Sequence, residues 1–111
     1  MSKRVLIVED DAFVADQLAA LVEDHLACAP IVTASARDAL AFVDVDFGFL
    51  DITVTDGQTF GVAQRLRERG IPFVFVSASD RSRLPLELAE APFLRKPVAA
   101  PALLAAARAH L

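Results

Sequence analysis

The stretch VLIVEDD, from Val5 to Asp11, runs four apolar residues straight into three acids, Glu9, Asp10 and Asp11. Like charges at close range repel, and each disfavours ionisation of its neighbours. Such a cluster calls for a positive charge beside it. Another acid, Asp51, closes the apolar run FGFLDI. Ser77 ends PFVFVS, and Lys96 stands in PFLRKP, followed by Pro97. Glu9, Asp10 and Asp51 offer only oxygen donors, which suits a hard cation such as Mg²⁺. His25, His110 and Cys28 form no competing ligand set. A carboxylate can also act as a nucleophile and carry an aspartyl phosphate. Stabilising a transferred phosphoryl group takes a metal, an ammonium and hydrogen-bond donors. Lys96 and Ser77 are of the right types. The set reads as a site for metal-assisted phosphoryl chemistry.

These residues are tens of positions apart, so the fold must gather them. RVLIV (4–8) is a β-branched run without polar alternation, as in a parallel strand covered on both faces. From Ala12 to about Leu26, Val14, Leu18, Leu21 and Val22 recur at helical spacing, and Asp11 can serve as N-cap. PIVTA (30–34) is a second strand. SARDALAFVD (35–44) reads as a short helix capped by Ser35. FGFLDI (47–52) is the third strand, and TDGQTF is a turn signal. A helix over about 58–69 stops at Gly70. PFVFVS (72–77) is the fourth strand and PFLRKP holds a short fifth. Ala/Leu-rich AAPALLAAARAHL closes the chain as a helix, with Pro101 near its start. Strands alternate with helices, which predicts an α/β fold with a doubly wound five-stranded parallel sheet. Ligands of such sheets bind beyond the carboxyl ends of the strands. Glu9 and Asp10, Asp51, Ser77 and Lys96 each stand at one of those ends.

The chain has 111 residues, enough for one domain over 1–111. Its 55% hydrophobic content suits a buried core, and no repeat, linker or low-complexity run interrupts it. A net charge of −4 argues against nucleic-acid binding. One cysteine precludes an internal disulfide, which fits a reducing compartment. No apolar run reaches the ~18 residues of a membrane span, and the N-terminus lacks the apolar stretch of a signal peptide. A soluble, cytoplasmic domain is expected.

VLIVEDD, FGFLDI, FVFVSAS and FLRKP, in this order, resemble the receiver domain of bacterial two-component response regulators over essentially the whole chain. Asp51 to Ser77 is 26 residues and Ser77 to Lys96 is 19. The resemblance implies the flavodoxin-like strand order 2-1-3-4-5. It implies Asp51 as phosphoacceptor, with Mg²⁺ held by Asp10, Asp51 and the backbone carbonyl of Thr53, and by Glu9 mainly through metal-bound water. Ser77 and Lys96 would each meet a phosphoryl oxygen, and the Lys96–Pro97 peptide would be cis. Phe93 occupies the aromatic switch position. Phosphorylation would draw the Ser77 hydroxyl inward, turn Phe93 behind it, and change the face of helix four, strand five and helix five. Thr53 and Ser79 stand where the family tunes attack by water. The implied partner is a sensor histidine kinase or histidine phosphotransfer protein, with an unknown downstream protein partner and a monomer or weak dimer. The chain ends near its last helix, so no output domain is expected. It would act as a signalling module, not a turnover enzyme, catalysing only its own phosphorylation and slow dephosphorylation.

Two features depart from the family pattern. The loop after the acceptor reads DITVTDG, without the usual proline and about two residues short. The segment 79–92 holds Pro85 and Pro92, so the fourth helix is expected to be short or irregular. Two other functions compete. Small phosphatases of the haloacid-dehalogenase type also use an Asp nucleophile and Mg²⁺, but carry a second acid two residues on, where this chain has Thr53. A binding module that kept the fold and lost phosphorylation is the other: the complete acid, Ser and Lys set argues against it, and the shortened loop keeps it open.

Overall fold

Along Arg4–Val8 (β1), Val5 and Ile7 turn to one face of the sheet and Leu6 and Val8 to the other. All four are fully buried. The computed structural model describes residues 3–42 and 44–111. After β1 come α1 (Ala12–Leu26), β2 (Ala29–Thr33), α2 (Ala36–Ala39) and β3 (Phe47–Leu50). A hairpin of β4 (Thr53–Val54) and β5 (Gly57–Gln58) leads to α3 (Phe60–Glu68) and β6 (Phe73–Ser77). Two 3₁₀ turns, Arg81–Arg83 and Leu86–Leu88, precede β7 (Phe93–Arg95) and α4 (Ala100–Arg108).

The main sheet has five strands in the order β2-β1-β3-β6-β7, all pairs parallel. Counting these strands alone, this is the expected order 2-1-3-4-5. Period-two alternation divides the core. Val5, Ile7, Phe47, Phe49, Val74 and Val76 pack with Leu18 and Val22 of α1 and Leu103 of α4. Leu6, Val8, Leu50, Phe73 and Phe75 pack with Ala39 of α2 and Val62, Ala63 and Leu66 of α3. Burying each Val, Leu, Ile or Phe side chain among them contributes about 1.5–3 kcal/mol. That burial fixes the register and thereby which residues emerge at the carboxyl edge.

Helix ends follow the capping residues. Asp11 caps α1, accepting from the N–H of Phe13 at 2.9 Å and of Val14 at 3.3 Å. The Ser35 hydroxyl accepts from Asp38 N–H at 3.1 Å. Gly70 takes φ +70° just after α3, a left-handed turn that costs other residues strain.

Two expectations need correction, and a third is borne out. The helix expected over 35–44 stops after one turn. Leu40, Ala41 and Phe42 bond back only to carbonyls three residues earlier, and Asp46 is drawn to Arg4 by backbone and side-chain bonds of 2.8 Å. Val43 of that predicted helix lies outside the described residues. The helix expected from about 58 begins at Phe60, because Gln58 pairs with Thr53 in the hairpin. The short or irregular fourth helix expected over 79–92 is borne out: no α-helix forms there, and two 3₁₀ turns stand in its place. Pro85 explains the break. The residue before a proline is pushed to extended backbone, and Leu84 sits at φ −74°, ψ 140°. Leu84 and Leu88 still reach the core. Arg81 ties the segment together, donating to the carbonyls of Ala89 at 3.0 Å and Ala91 at 2.7 Å.

Candidate functional site

The parallel ladder continues one residue past each strand and holds the functional residues by their own amides. Glu9 N–H donates to the Thr33 carbonyl at 3.0 Å, Asp51 N–H to Val8 at 2.9 Å, and Lys96 N–H to Ser77 at 2.8 Å. The side chains then converge. Lys96 Nζ lies 2.5 Å from Glu9 Oε1 and 3.3 Å from Asp51 Oδ2. The second oxygen of each acid accepts a backbone N–H: Asp11 to Glu9 Oε2 at 3.3 Å, and Ile52 to Asp51 Oδ1 at 2.8 Å. Lys96 supplies one positive charge to the cluster, at Glu9 and Asp51.

Carboxylate oxygens of Glu9, Asp10 and Asp51 lie within 4.8 Å of one another. Among the described residues no other group of three acids, histidines or cysteines gathers so closely. Glu9 is buried, Asp51 partly buried and Asp10 exposed. An all-oxygen set open on one side fits a divalent cation that keeps several waters. Asp11 is not part of the group; its carboxylate is taken up by the α1 cap.

The other expected residues surround this centre. Ser77 is buried at the end of β6, but its hydroxyl oxygen accepts from Ser79 N–H at 3.1 Å and bonds neither Asp51 nor Lys96. Ser79 is half-buried. Thr53 is exposed in β4, opposite Gln58. The Lys96–Pro97 peptide is cis. Phe93 is half-buried, its ring 6.5 Å from that of Phe75, with the Arg81 guanidinium 5.5 Å above it.

Two participants escaped the sequence reading. Asp56 caps the first turn of α2 from outside, accepting from the Ser35 hydroxyl and Ala36 N–H, both at 2.7 Å, and from Arg37 N–H at 3.2 Å. These donors, the Ser35 hydroxyl foremost, hold its carboxyl below the usual range. Thr59 is fully buried, and its hydroxyl donates to the Asp51 carbonyl at 2.5 Å. Asp56–Gly57 signalled only a turn, and Thr59 only a helix start. Their partners lie across the fold or within the acceptor loop.

Burial pushes the Glu9 carboxyl up to about 7; Lys96 pulls it down, and Asp51 raises it further. Burial lowers the Lys96 ammonium, but Glu9 and Asp51 together outweigh that and leave it raised. The two shifts are consistent, since Lys96 faces two acids while Glu9 faces one cation and a second acid. For Glu9 the folded state binds the proton more tightly than the unfolded chain. Its contribution to stability is full below the ordinary 4.5 and is lost as pH rises through about 7. In chelator, the melting temperature is expected to fall between pH 5 and pH 7, and Glu9→Gln to flatten that fall. Added Mg²⁺ is expected to raise the melting temperature more at pH 8 than at pH 6, because metal and proton compete for Glu9. Thermal scans across pH with and without Mg²⁺ check both.

No protein-family model matches the sequence, and no curated protein matches it. Solved structures do. SdrG from Sphingomonas melonis Fr1 is 29% identical, with a TM-score of 0.80, over 97% of this chain and 95% of that one. A CheY-like response regulator receiver domain from Methylobacillus flagellatus is 28% identical, with a TM-score of 0.75, over 96% and 99%. The response regulator TrrA from Thermotoga maritima, solved with Mg²⁺ and BeF, is 19% identical, with a TM-score of 0.84, over 98% and 99%. Structures similar to this chain are mostly CheY-like receiver domains matched over nearly its full length. The chain has the fold of a response regulator receiver domain. These neighbours support phosphorelay signalling by a response regulator. Among the described residues no helix is long and apolar enough to cross a membrane.

Proposed function

We propose that this chain accepts a phosphoryl group on Asp51 from the phosphohistidine of a sensor histidine kinase or histidine phosphotransfer protein. The observation that carries this reading is the Lys96 ammonium set between Glu9 and Asp51, with Asp51 held by Ile52 N–H on its other oxygen. Mg²⁺ would be held by Glu9, Asp10 and Asp51, completed by the Thr53 carbonyl, and would neutralise charge on the phosphoryl oxygens. A carboxylate oxygen of Asp51 attacks phosphorus, the phosphorus–nitrogen bond breaks, and the donor imidazole leaves with the electron pair and takes up a proton. Lys96 turns from the acids to a phosphoryl oxygen, and the Ser77 hydroxyl leaves Ser79 N–H to donate to another. Phe93 then follows into the space behind Ser77, altering the surface of β7, α4 and the two 3₁₀ turns for a downstream protein. Slow hydrolysis of the acyl phosphate resets the domain. Thr53 supplies no second acid, which sets the chain apart from turnover phosphatases of the haloacid-dehalogenase type.

Intact-protein mass after incubation with acetyl phosphate tests the reading. A Mg²⁺-dependent gain of one phosphoryl group, about 80 Da, is the expected result. A folded protein that gains no mass under these conditions, with rapid dephosphorylation excluded by short quench times, refutes it. The chain would then act as a binding module through its unmodified surface.

A further inference from the structure

Thr59 occupies the N-cap position of α3, yet its side chain makes no capping hydrogen bond. A threonine there normally accepts from the N–H groups of the first helical turn, at about 1 kcal/mol of helix stability. Here the hydroxyl is spent as a donor to the Asp51 carbonyl, at 2.5 Å and in full burial. Its own N–H donates to the Ile52 carbonyl at 2.9 Å, and its carbonyl accepts from Ala63 N–H at 3.0 Å. The Asp51–Ile52 peptide is a rigid plane, with C=O on one side and N–H on the other. The Thr59 hydroxyl holds the C=O end of that plane. The N–H end holds Asp51 Oδ1 at 2.8 Å, which leaves Oδ2 facing Lys96 at 3.3 Å.

We infer that Thr59 is a positioning residue for the acceptor: it fixes the Asp51–Ile52 peptide and so aims the Asp51 carboxylate. This rests on the reading of Asp51 as the phosphoacceptor. The Thr59 hydroxyl and N–H bonds, to the carbonyls of Asp51 and Ile52, close the base of the β4–β5 hairpin, so the start of α3 grips the acceptor loop at its root. Misplacing a reacting group by about 1 Å can cost roughly 100-fold in rate.

The test compares Thr59→Val, which keeps the shape and loses the hydroxyl, with Thr59→Ser, which keeps the hydroxyl. Two readouts are taken below the melting temperature of each variant. The first is the rate of adduct formation from acetyl phosphate with saturating Mg²⁺. The second is hydrogen exchange of the Ile52 amide, with Leu6 as the core reference. Thr59→Val is expected to slow adduct formation at least tenfold and to speed Ile52 exchange at least tenfold relative to Leu6. Thr59→Ser is expected to stay within about threefold of the unmodified protein in both. A residue that only stabilised the fold would lower the melting temperature in both variants and leave the rate of the folded protein alone. Thr59→Val matching the unmodified protein in Ile52 exchange, or Thr59→Ser as slow as Thr59→Val, overturns the inference. If the unmodified protein forms no adduct, the acceptor reading fails by itself, and Ile52 exchange still decides whether Thr59 holds the peptide. Should Thr59→Val not fold, the unmodified protein decides: an Ile52 amide exchanging as fast as in an unfolded chain overturns the inference, and strong protection supports it.

Discussion

Asp51→Asn is expected to fold and to gain no phosphoryl mass, under conditions in which the unmodified protein is fully converted. The amide keeps the shape of the carboxylate and can still accept from Ile52 N–H at the Oδ1 position. It is a far weaker nucleophile and cannot form an acyl phosphate. The substitution also removes one negative charge beside Glu9, whose carboxyl Asp51 helps to raise. The Glu9 carboxyl is therefore expected to titrate lower, and the metal-free protein to be no less stable at pH 8. Mg²⁺ affinity is expected to fall about tenfold or more, with one anionic ligand lost. Intact mass, thermal unfolding and Mg²⁺ titration check the three parts. An adduct of unchanged yield on Asp51→Asn would place the acceptor elsewhere.

Lys96→Ala is expected to move two properties in opposite directions. Adduct formation should slow about 100-fold or more, the usual scale for removing one preorganised charge at a transition state. Mg²⁺ affinity should rise several-fold, because Lys96 no longer competes for Glu9 and Asp51. The metal-free protein should also lose stability. The Glu9 side chain is 2% exposed and would be left beside Asp51 without its cation. Removing one partner of a buried pair costs roughly 3–5 kcal/mol. Lys96 is 22% exposed, so solvent screens part of this and about 2–3 kcal/mol is expected at pH 8. At pH 5 Glu9 carries a proton and most of that loss should vanish. A variant with unchanged phosphorylation rate would remove Lys96 from the proposed chemistry, whatever its stability.

The parts legible from sequence were those written in local pattern. Buried strands such as Val5–Val8 announce themselves by composition, and the acids, Ser77 and Lys96 follow because each closes a strand. Asp11 and Ser35 were readable as caps for the same reason, since a cap and its partners lie within a few residues. What was not legible depends on geometry across the fold. Asp56 looks like half of a turn until α2 is seen beside it. Thr59 reads only as the end of a turn and the start of a helix until its hydroxyl is found on Asp51. After the single turn of α2 the chain runs to Asp46, which is held by Arg4, 42 positions away. The irregular 79–92 segment lies between these cases: Pro85 forecast the break, but not the Arg81 bonds that hold the replacement together.

That segment has an electrostatic consequence. The peptide dipoles of an α-helix sum to about half a positive charge at its N-terminus. A helix leaving β6 would direct that partial charge at the carboxyl edge, beside Ser77. Two 3₁₀ turns separated by extended Leu84 and Pro85 have no aligned run of peptides to supply it. On the reading proposed above, a phosphoryl group on Asp51 would therefore be balanced on this side by Lys96 and a divalent cation, and not by a helix dipole. A bound cation exchanges with the medium where fixed dipoles do not, so the charge balance of such a site would follow the divalent-cation content and ionic strength of its surroundings.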